Sequence, residues 1–150
     1  MSTDTGTGSG AAADRPRPPT EGLAGEFFAW HARGQLRLQR CGQCRRWSHP
    51  PVLTCPACDS TDLSWQPVSG RGEVFTWTVT HHPFHPRLTA AGPYACVVVT
   101  TEEGPRVLST VRGVSPEQLT AGLPVQVDFE PVADGPALAV FRPRPGAERP

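Results

Sequence analysis

The stretch CGQCRRWSHPPVLTCPAC, residues 41–58, decides the fold of this chain. It holds two Cys-x2-Cys pairs with ten residues between them, a spacing that brings four sulfur atoms together. Four thiolates complete the tetrahedral coordination of Zn²⁺ and leave no open position for water, so such a site supports a fold and performs no catalysis. The pattern predicts one structural zinc ion, held by Cys41, Cys44, Cys55 and Cys58.

Disulfide formation and redox chemistry are the two alternatives for these cysteines. Residues 1–20, MSTDTGTGSGAAADRPRPPT, have neither the basic start nor the apolar run of a signal peptide. A redox Cys-x2-Cys pair normally stands alone beside a βαβ unit. No apolar run reaches the roughly 20 residues that cross a membrane. We therefore favour zinc and expect a cytoplasmic protein with reduced thiols. The fifth cysteine, Cys96, lies in an apolar run and is interpreted as a small buried side chain.

The composition divides the chain into five segments. Residues 1–20 and 144–150 have little to bury and are predicted to be disordered tails. Residues 21–35 are predicted to form a short N-terminal helix, because Leu23, Phe27 and Trp30 recur at helical spacing. Residues 36–69 are assigned to the zinc ribbon, with one strand leading into Cys41 and another returning after Cys58. Residues 70–143 are assigned to a second module, and the glycines of Ser69-Gly70-Arg71-Gly72 are interpreted as a hinge.

The second module has the pattern of a small β-barrel. Five strands are predicted at 73–80, 94–101, 106–112, 125–130 and 137–142, with turn residues between them. A short helical turn begins at Ser115 and Pro116, between the third and fourth strands. Five strands with a helix at this place fit an OB-fold. The expected fold class is therefore mainly β: a short helix, a zinc ribbon and a five-stranded OB-fold barrel.

The charge of the chain is zero overall but unevenly distributed. Residues 36–72 carry five arginines against two aspartates, whereas residues 73–142 carry four arginines against seven acidic residues. Single-stranded nucleic acids bind OB barrels in a positive groove with exposed aromatic side chains, and nucleic-acid-binding domains usually have a pI above about 9. The charge distribution therefore disfavours nucleic acid as a partner, although the architecture keeps a single-stranded nucleic-acid-binding module as the alternative function.

Two further groups of residues are candidates for binding. Arg45, Arg46 and Trp47 follow the first cysteine pair, and an arginine pair beside an aromatic ring suits the phosphates and the base of a nucleotide such as coenzyme A. The alternative is an ordinary exposed loop with a packed tryptophan.

His81, His82 and His85 cluster in a proline-rich loop, which is more typical of a solvated or partner-contacting segment than of a metal site or a general base. The sequence has no GxSxG, P-loop or GxGxxG motif.

Several segments in order resemble a known family. They are QLRLQRCGQC (35–44), HPP (49–51), CPAC (55–58), SGRGEV (69–74), WTV (77–79), PY (93–94), GLPV (122–125) and FRP (141–143). Together they resemble the zinc-ribbon OB-fold proteins formerly catalogued as a domain of unknown function and linked to acyl-CoA metabolism. The resemblance covers about residues 22 to 143. It implies a rubredoxin-like ribbon, an OB barrel and the four cysteine ligands of zinc.

The resemblance also implies a function. Such proteins are accessory subunits that bind or channel acyl-CoA thioesters for a thiolase-like enzyme, a lipid-transfer-protein-type aldolase or a hot-dog hydratase, for example in sterol or lipid side-chain degradation. Partner contacts would then fall on aromatic and loop residues, since interfaces favour aromatic side chains. The candidates are Phe27, Phe28, Trp30, His81, His82 and Phe84. An enzyme acting through the His81, His82 and His85 loop is the third hypothesis.

Overall fold

The computed structural model describes residues 17–82 and 93–144. Its elements are helix α1 (Gly22–His31), strands β1 (Arg37–Cys41), β2 (Trp47–Ser48), β3 (Leu63–Pro67), β4 (Arg71–Thr80), β5 (Tyr94–Thr101) and β6 (Arg106–Ser109), a 3-10 helix (Pro116–Gln118), and strands β7 (Pro124–Val132) and β8 (Gly135–Pro143). Neither helix in these two ranges has the length and apolar character needed to cross a bilayer.

Helix α1 is shorter than the predicted 21–35. It begins after Glu21 rather than Thr20, and it ends at His31. The N–H groups of Arg33 and Gly34 bond to the carbonyls of Trp30 and His31, so the last turn tightens. Gly34 then adopts a φ of 68°, a left-handed conformation that glycine accepts without strain and that commonly terminates a helix.

The zinc ribbon is a three-stranded antiparallel sheet in the order β2-β1-β3. Strand β1 is central: Gln39 pairs with Ser48 on one side and with Trp65 on the other. Leu38 is completely buried and joins the core that the ribbon shares with the barrel. The two-residue strand β2 was absent from the sequence prediction.

The remaining strands form one antiparallel sheet in the order β6-β5-β4-β7-β8. Burial alternates along β5, where Ala95, Val97 and Val99 face the core. An isolated parallel bridge between Val111 and Phe141 brings the two edges of the sheet together. This nearly closed five-stranded barrel, with a short helix between its third and fourth strands, confirms the predicted fold class.

The segment interpreted as a hinge is fixed in place. Gly70 has a φ of 70°, and a Cβ there would overlap the side chain of Val127. The carbonyl of Gly70 accepts a 2.8 Å bond from the N–H of Val127, and the N–H of Ser69 donates a 2.7 Å bond to Glu103 Oε1. A Cβ on Gly72 would meet the Thr100 carbonyl. The glycines therefore permit close packing of the ribbon junction against the barrel.

The ends of the chain are described only in part. Residues 1–16 and 145–150 of the predicted tails lie outside the described residues. Residues 17–20 have defined contacts: Pro18 is buried, and Arg17 forms an exposed 3.2 Å ion pair with Asp134. The N–H of Arg144 donates a 3.0 Å bond to the carbonyl of Pro124.

Candidate metal centre and ligand cavities

The two cysteine pairs form knuckles with the same hydrogen bonds. In the first, the N–H of Arg45 bonds to the carbonyl of Cys41, and the N–H of Cys41 bonds to the carbonyl of Arg46. In the second, Asp59 and Ser60 make the equivalent bonds with Cys55. Arg45 and Asp59 also share a positive φ, 65° and 57°. Each knuckle therefore turns the chain in the same way and presents its two sulfurs to one centre.

The sulfur geometry fits a zinc ion. The four Sγ atoms lie within 4.8 Å of one another. Cys41 Sγ is 3.7 Å from Cys58 Sγ, and Cys44 Sγ is 3.5 Å from Cys55 Sγ. Zn–S bonds of about 2.3 Å give a tetrahedron with edges of about 3.8 Å, whereas a disulfide needs about 2.05 Å. All four thiols are free, and the cluster is able to hold one Zn²⁺ as predicted.

Backbone amides favour thiolates at this centre. The N–H of Cys44 lies 3.4 Å from Cys41 Sγ and lowers the pKa of Cys41 to about 6. The backbone N–H of Ala57 is the main cause of a lowered pKa at Cys55. Because the thiolate is the form that binds metal, these amides prepare Cys41 and Cys55. The Ser60 backbone acts in the same direction at Cys58, but burial and the other three thiols raise the pKa of Cys58. With four sulfurs the coordination would be closed, and zinc would hold the ribbon together.

The structure separates the three residues proposed for nucleotide binding. Arg46 and Trp47 line an open hollow of about 440 Å³ beside the zinc knuckle. The Arg40 guanidinium lies 5.0 Å from the centroid of the Trp47 ring. Glu103 also lines the hollow, and its Oε2 is buried without a hydrogen-bond partner among the described residues. Arg45 is exposed and is not part of this wall.

The aromatic residues of α1 have different environments. Phe27 is only 8% exposed and packs inside the chain, against His31, His49 and Trp65, so its assignment as a partner contact is corrected to a core residue. Phe28 is half-buried. Trp30 is half-buried, and the guanidinium groups of Arg33 and Arg37 lie 4.8 and 4.0 Å from its ring centroid. Phe28 and Trp30 remain predicted contacts.

The histidine loop is described only at its start. His81 and His82 are exposed, and His81 is close enough to Glu117 to contribute, after hydrogen bonds to Ser115 and to the backbone, to the lowered pKa of that carboxyl. Phe84 and His85 lie outside the described residues. The proposed partner contacts in this loop therefore stay predictions.

A second cavity lies at the seam of the barrel, where β6 approaches β8. Strand β6 ends at Ser109, and the Ser109 hydroxyl donates a 2.8 Å bond to the Ala139 carbonyl. Beside this bond is a half-open space of about 340 Å³, here called the seam cavity, and α1 forms part of its wall. Its largely apolar wall includes Phe27, Phe28, Cys96, Leu108, Leu138 and Val140. Cys96 is thus half-buried on this wall, whereas the sequence analysis expected a buried side chain.

Two histidines that the sequence analysis did not select also line the seam cavity. His31 is 2% exposed, and neither of its ring nitrogens has a hydrogen-bond partner in the described part of the chain. Burial lowers the pKa of His31 to about 4, although the backbone of Ala137 opposes the shift. Burial also lowers the pKa of His49, whose Nδ1 has no partner within the same residues. Both imidazoles are therefore neutral near pH 7.

The sequence spacing could have indicated that His31 is buried. His31 follows Phe27 by four residues, which places both side chains on the same face of α1. The two rings stack edge to face at 4.5 Å, and His31 lies 5.5 Å from the ring of Phe129 on β7. The seam cavity itself depends on the distance between β6 and β8, which no local pattern specifies.

Comparisons with known families match the same two modules. A family model described as "ChsH2, rubredoxin-like zinc ribbon domain" matches residues 32–64. A second, described as "ChsH2, C-terminal OB-fold domain", matches residues 65–130. The two matches adjoin and cover 99 of the 150 residues.

Individual relatives give the same picture. The probable enoyl-CoA hydratase alpha subunit of Thermomonospora curvata is 34% identical over 86% of this chain, which spans only 40% of that protein. The DUF35 domain-containing scaffold protein of Pyrococcus furiosus is 33% identical over 65% of this chain and 71% of its own length. Among solved structures, the Ltp2-ChsH2(DUF35) aldolase superposes with a TM-score of 0.74 at 33% identity, over 86% of this chain and 98% of that chain.

Proposed function

Because the chain belongs to the ChsH2/DUF35 family of proteins with a zinc ribbon and an OB-fold domain, we propose that it is a non-catalytic accessory subunit. In this role it binds or channels an acyl-CoA thioester for a partner enzyme of lipid metabolism. The partner is a thiolase-like aldolase of the lipid-transfer-protein type or a hot-dog hydratase. Sterol side-chain degradation is one pathway in which such a subunit would act.

The observation that carries this proposal is the match to the aldolase complex. That relative is a chain of about the same extent, since 98% of it is covered, and its name pairs ChsH2(DUF35) with Ltp2. Two other relatives, one named a hydratase alpha subunit and the other a scaffold protein, also support an accessory role. The four-sulfur centre adds a physical argument, because a closed zinc site offers no position for a reacting group.

The hollow beside the zinc knuckle suits the nucleotide end of coenzyme A. Arg46 supplies a guanidinium for a phosphate, and Trp47 supplies a ring for stacking of the adenine. The unpartnered Oε2 of Glu103 is an acceptor for the adenine amino group, whereas it would repel a phosphate. Arg46 would therefore meet the phosphates at the mouth of the hollow, and Glu103 would meet the base inside it.

Two adjacent arginines provide a matched test of this site. In the complex with a partner enzyme, Arg46→Ala should weaken coenzyme A binding about tenfold, because a charge-assisted hydrogen bond is lost, and Arg45→Ala should change it little. Isothermal titration with coenzyme A and with pantetheine separates the nucleotide from the thiol arm. If Arg45→Ala and Arg46→Ala lose the same amount of coenzyme A affinity, the hollow is not the binding site.

The accessory role is tested by co-expression with a lipid-transfer-protein-type aldolase or a hot-dog hydratase of the same organism. The expected result is a complex that elutes together and turns over acyl-CoA, while this chain alone turns over none. Turnover by the isolated chain that disappears in His81→Ala and His82→Ala would instead establish an enzyme. A salt-dependent shift of single-stranded DNA or RNA at micromolar protein, without a stable enzyme complex, would favour the nucleic-acid-binding alternative.

A further inference from the structure

We propose that the seam cavity binds an uncharged, mainly apolar molecule that carries one hydroxyl or keto group, and that His31 hydrogen-bonds this group. The inference goes beyond the proposed function, because it requires neither coenzyme A nor a partner enzyme. It concerns a different part of the molecule from the hollow at Arg46 and Trp47.

The size and lining of the seam cavity are those of a small-molecule site. Its volume of about 340 Å³ falls in the usual range of about 300–1,000 Å³ for such sites, which are mostly apolar with a few convergent polar groups. Here helix α1 contributes Phe28, strand β6 contributes Leu108 and strand β8 contributes Leu138. An apolar ring or branched chain would replace water against these side chains.

The imidazole of His31 gives the site its polar anchor, because it lines the cavity and neither of its ring nitrogens makes a hydrogen bond among the described residues. Both nitrogens are covered in the ligand-free chain, so the ring would turn toward the cavity to bond the ligand. A buried polar group without a hydrogen bond has lost its hydration without compensation, so a ligand that supplies the missing partner binds in preference to a pure hydrocarbon. A neutral imidazole has one N–H donor and one nitrogen acceptor. A hydroxyl can pair with either nitrogen, and a keto oxygen can pair with the N–H.

The charges around the seam cavity favour an uncharged ligand. Arg112 lines it, but its guanidinium makes a bidentate pair with Glu130, with bonds of 2.9 and 3.1 Å. His31 and His49 are neutral near pH 7, because burial lowers the pKa of each. A carboxylate would have to compete with Glu130 for the Arg112 guanidinium, and an ammonium group would lose its hydration beside a cationic side chain.

The preference for an uncharged ligand can be tested with two compounds that share the adamantane skeleton and differ only in their polar group. The complete chain with zinc bound is titrated at pH 7 with 1-adamantanol and with adamantane-1-carboxylate, by calorimetry and by ¹H–¹⁵N spectra. We expect saturable one-to-one binding of the alcohol, shifts at residues around Leu108 and Leu138, and at least about tenfold weaker binding of the carboxylate. Absence of saturable alcohol binding, or equal affinity for the two compounds, overturns the proposal.

Variants then assign the contacts. His31→Phe keeps an aromatic ring in the cluster and removes both nitrogens, so it should weaken alcohol binding about fivefold, the loss of roughly one hydrogen bond. Alcohol affinity that is unchanged in this folded variant contradicts the assignment of His31. Two exposed leucines give a control that does not depend on that substitution: Leu108→Ser at the cavity should weaken binding about threefold, whereas Leu53→Ser on the zinc loop should not. Equal effects of the two would place the alcohol elsewhere.

Discussion

The indole N–H of Trp65 donates a 2.8 Å hydrogen bond to Glu26 Oε2, which joins strand β3 of the zinc ribbon to helix α1. The same helix packs on β8 and brings His31 against Phe129 of β7. Helix α1 therefore contacts both modules, and the Trp65–Glu26 bond is one of the polar contacts that fix the ribbon beside the barrel.

Trp65→Phe should lower the free energy of unfolding by about 1–2 kcal/mol, because an indole donor to a carboxylate is lost while most of the apolar surface remains. Glu26→Gln keeps a neutral acceptor and should cost less. Urea denaturation measures both. If the double variant loses the full sum of the two single losses, the two side chains are not coupled and the bond has no role in docking.

Replacement of a zinc ligand should be severe. Cys58→Ser removes one of four thiolates, and structural zinc sites contribute about 10–16 kcal/mol of apparent binding free energy at pH 7. We expect about one zinc per chain in the unmodified protein and less than stoichiometric zinc, with a much lower melting temperature, in the variant. Elemental analysis and thermal melts with and without a chelator measure this. Cys96→Ser is the matched control, because Cys96 lies outside the sulfur cluster, and it should keep its zinc.

Alanine substitutions at Gly122 and Gly70, which both have a positive φ, distinguish the energetic cost of backbone strain from that of steric overlap. Gly122→Ala introduces only the strain, about 1 kcal/mol, because no atom lies within 4 Å of the new Cβ. Gly70→Ala has the same strain and also overlaps Val127, so it should cost at least 1 kcal/mol more. Chemical denaturation of both variants provides the comparison. Similar losses at the two positions would mean that the junction can move away from β7.

Acid should destabilise the protein through His31. Its pKa is lowered from 6.5 to about 4 in the folded chain, so between these values the unfolded chain binds a proton that the native chain does not. Stability therefore falls as the pH drops from about 6.5 to 4, by on the order of 2 kcal/mol at pH 5. His31→Phe should show a smaller fall between pH 7.5 and 5 in urea titrations.

The acidic residues act in a different range. The Arg142 hydrogen bond lowers the pKa of Asp128, so that contribution is present above the ordinary carboxyl pKa of about 4 and is lost only below it. The slope between pH 7.5 and 5 therefore has little contribution from Asp128, and the difference between His31→Phe and the unmodified protein isolates the contribution of His31. An identical slope in His31→Phe would mean that the His31 ring is protonated in the folded protein.

Much of the fold followed from local chemistry. Cysteine spacing alone predicted the sulfur cluster, because each knuckle is a short backbone turn whose geometry the chain sets within a few residues. Alternating apolar residues such as Val97 and Val99 predicted the barrel strands, since burial on one face has a period of two. The short helical turn after Ser115 followed from Pro116 at its first position.

The remaining features depend on distant contacts. Strand β2 has two residues and exists because Trp47 and Ser48 pair with β1. The glycines at 70 and 72 suggest flexibility in the sequence, but close approach to Val127 and Thr100 makes the same residues a fixed junction. Arg45 and Arg46 are neighbours in sequence, yet only Arg46 faces the hollow. The seam cavity required the placement of α1, β6 and β8 together.

Strand β8 and helix α1 both lie outside the OB-fold match at residues 65–130. A fragment cut at those limits would lose Phe141, which is completely buried, together with the aromatic cover over the seam. Without β8, the backbone N–H and C=O groups along one edge of β7 would be unpaired, and this free edge would favour self-association. The smallest autonomous unit of this protein therefore extends on both sides of residues 32–130, the part that the two family models match.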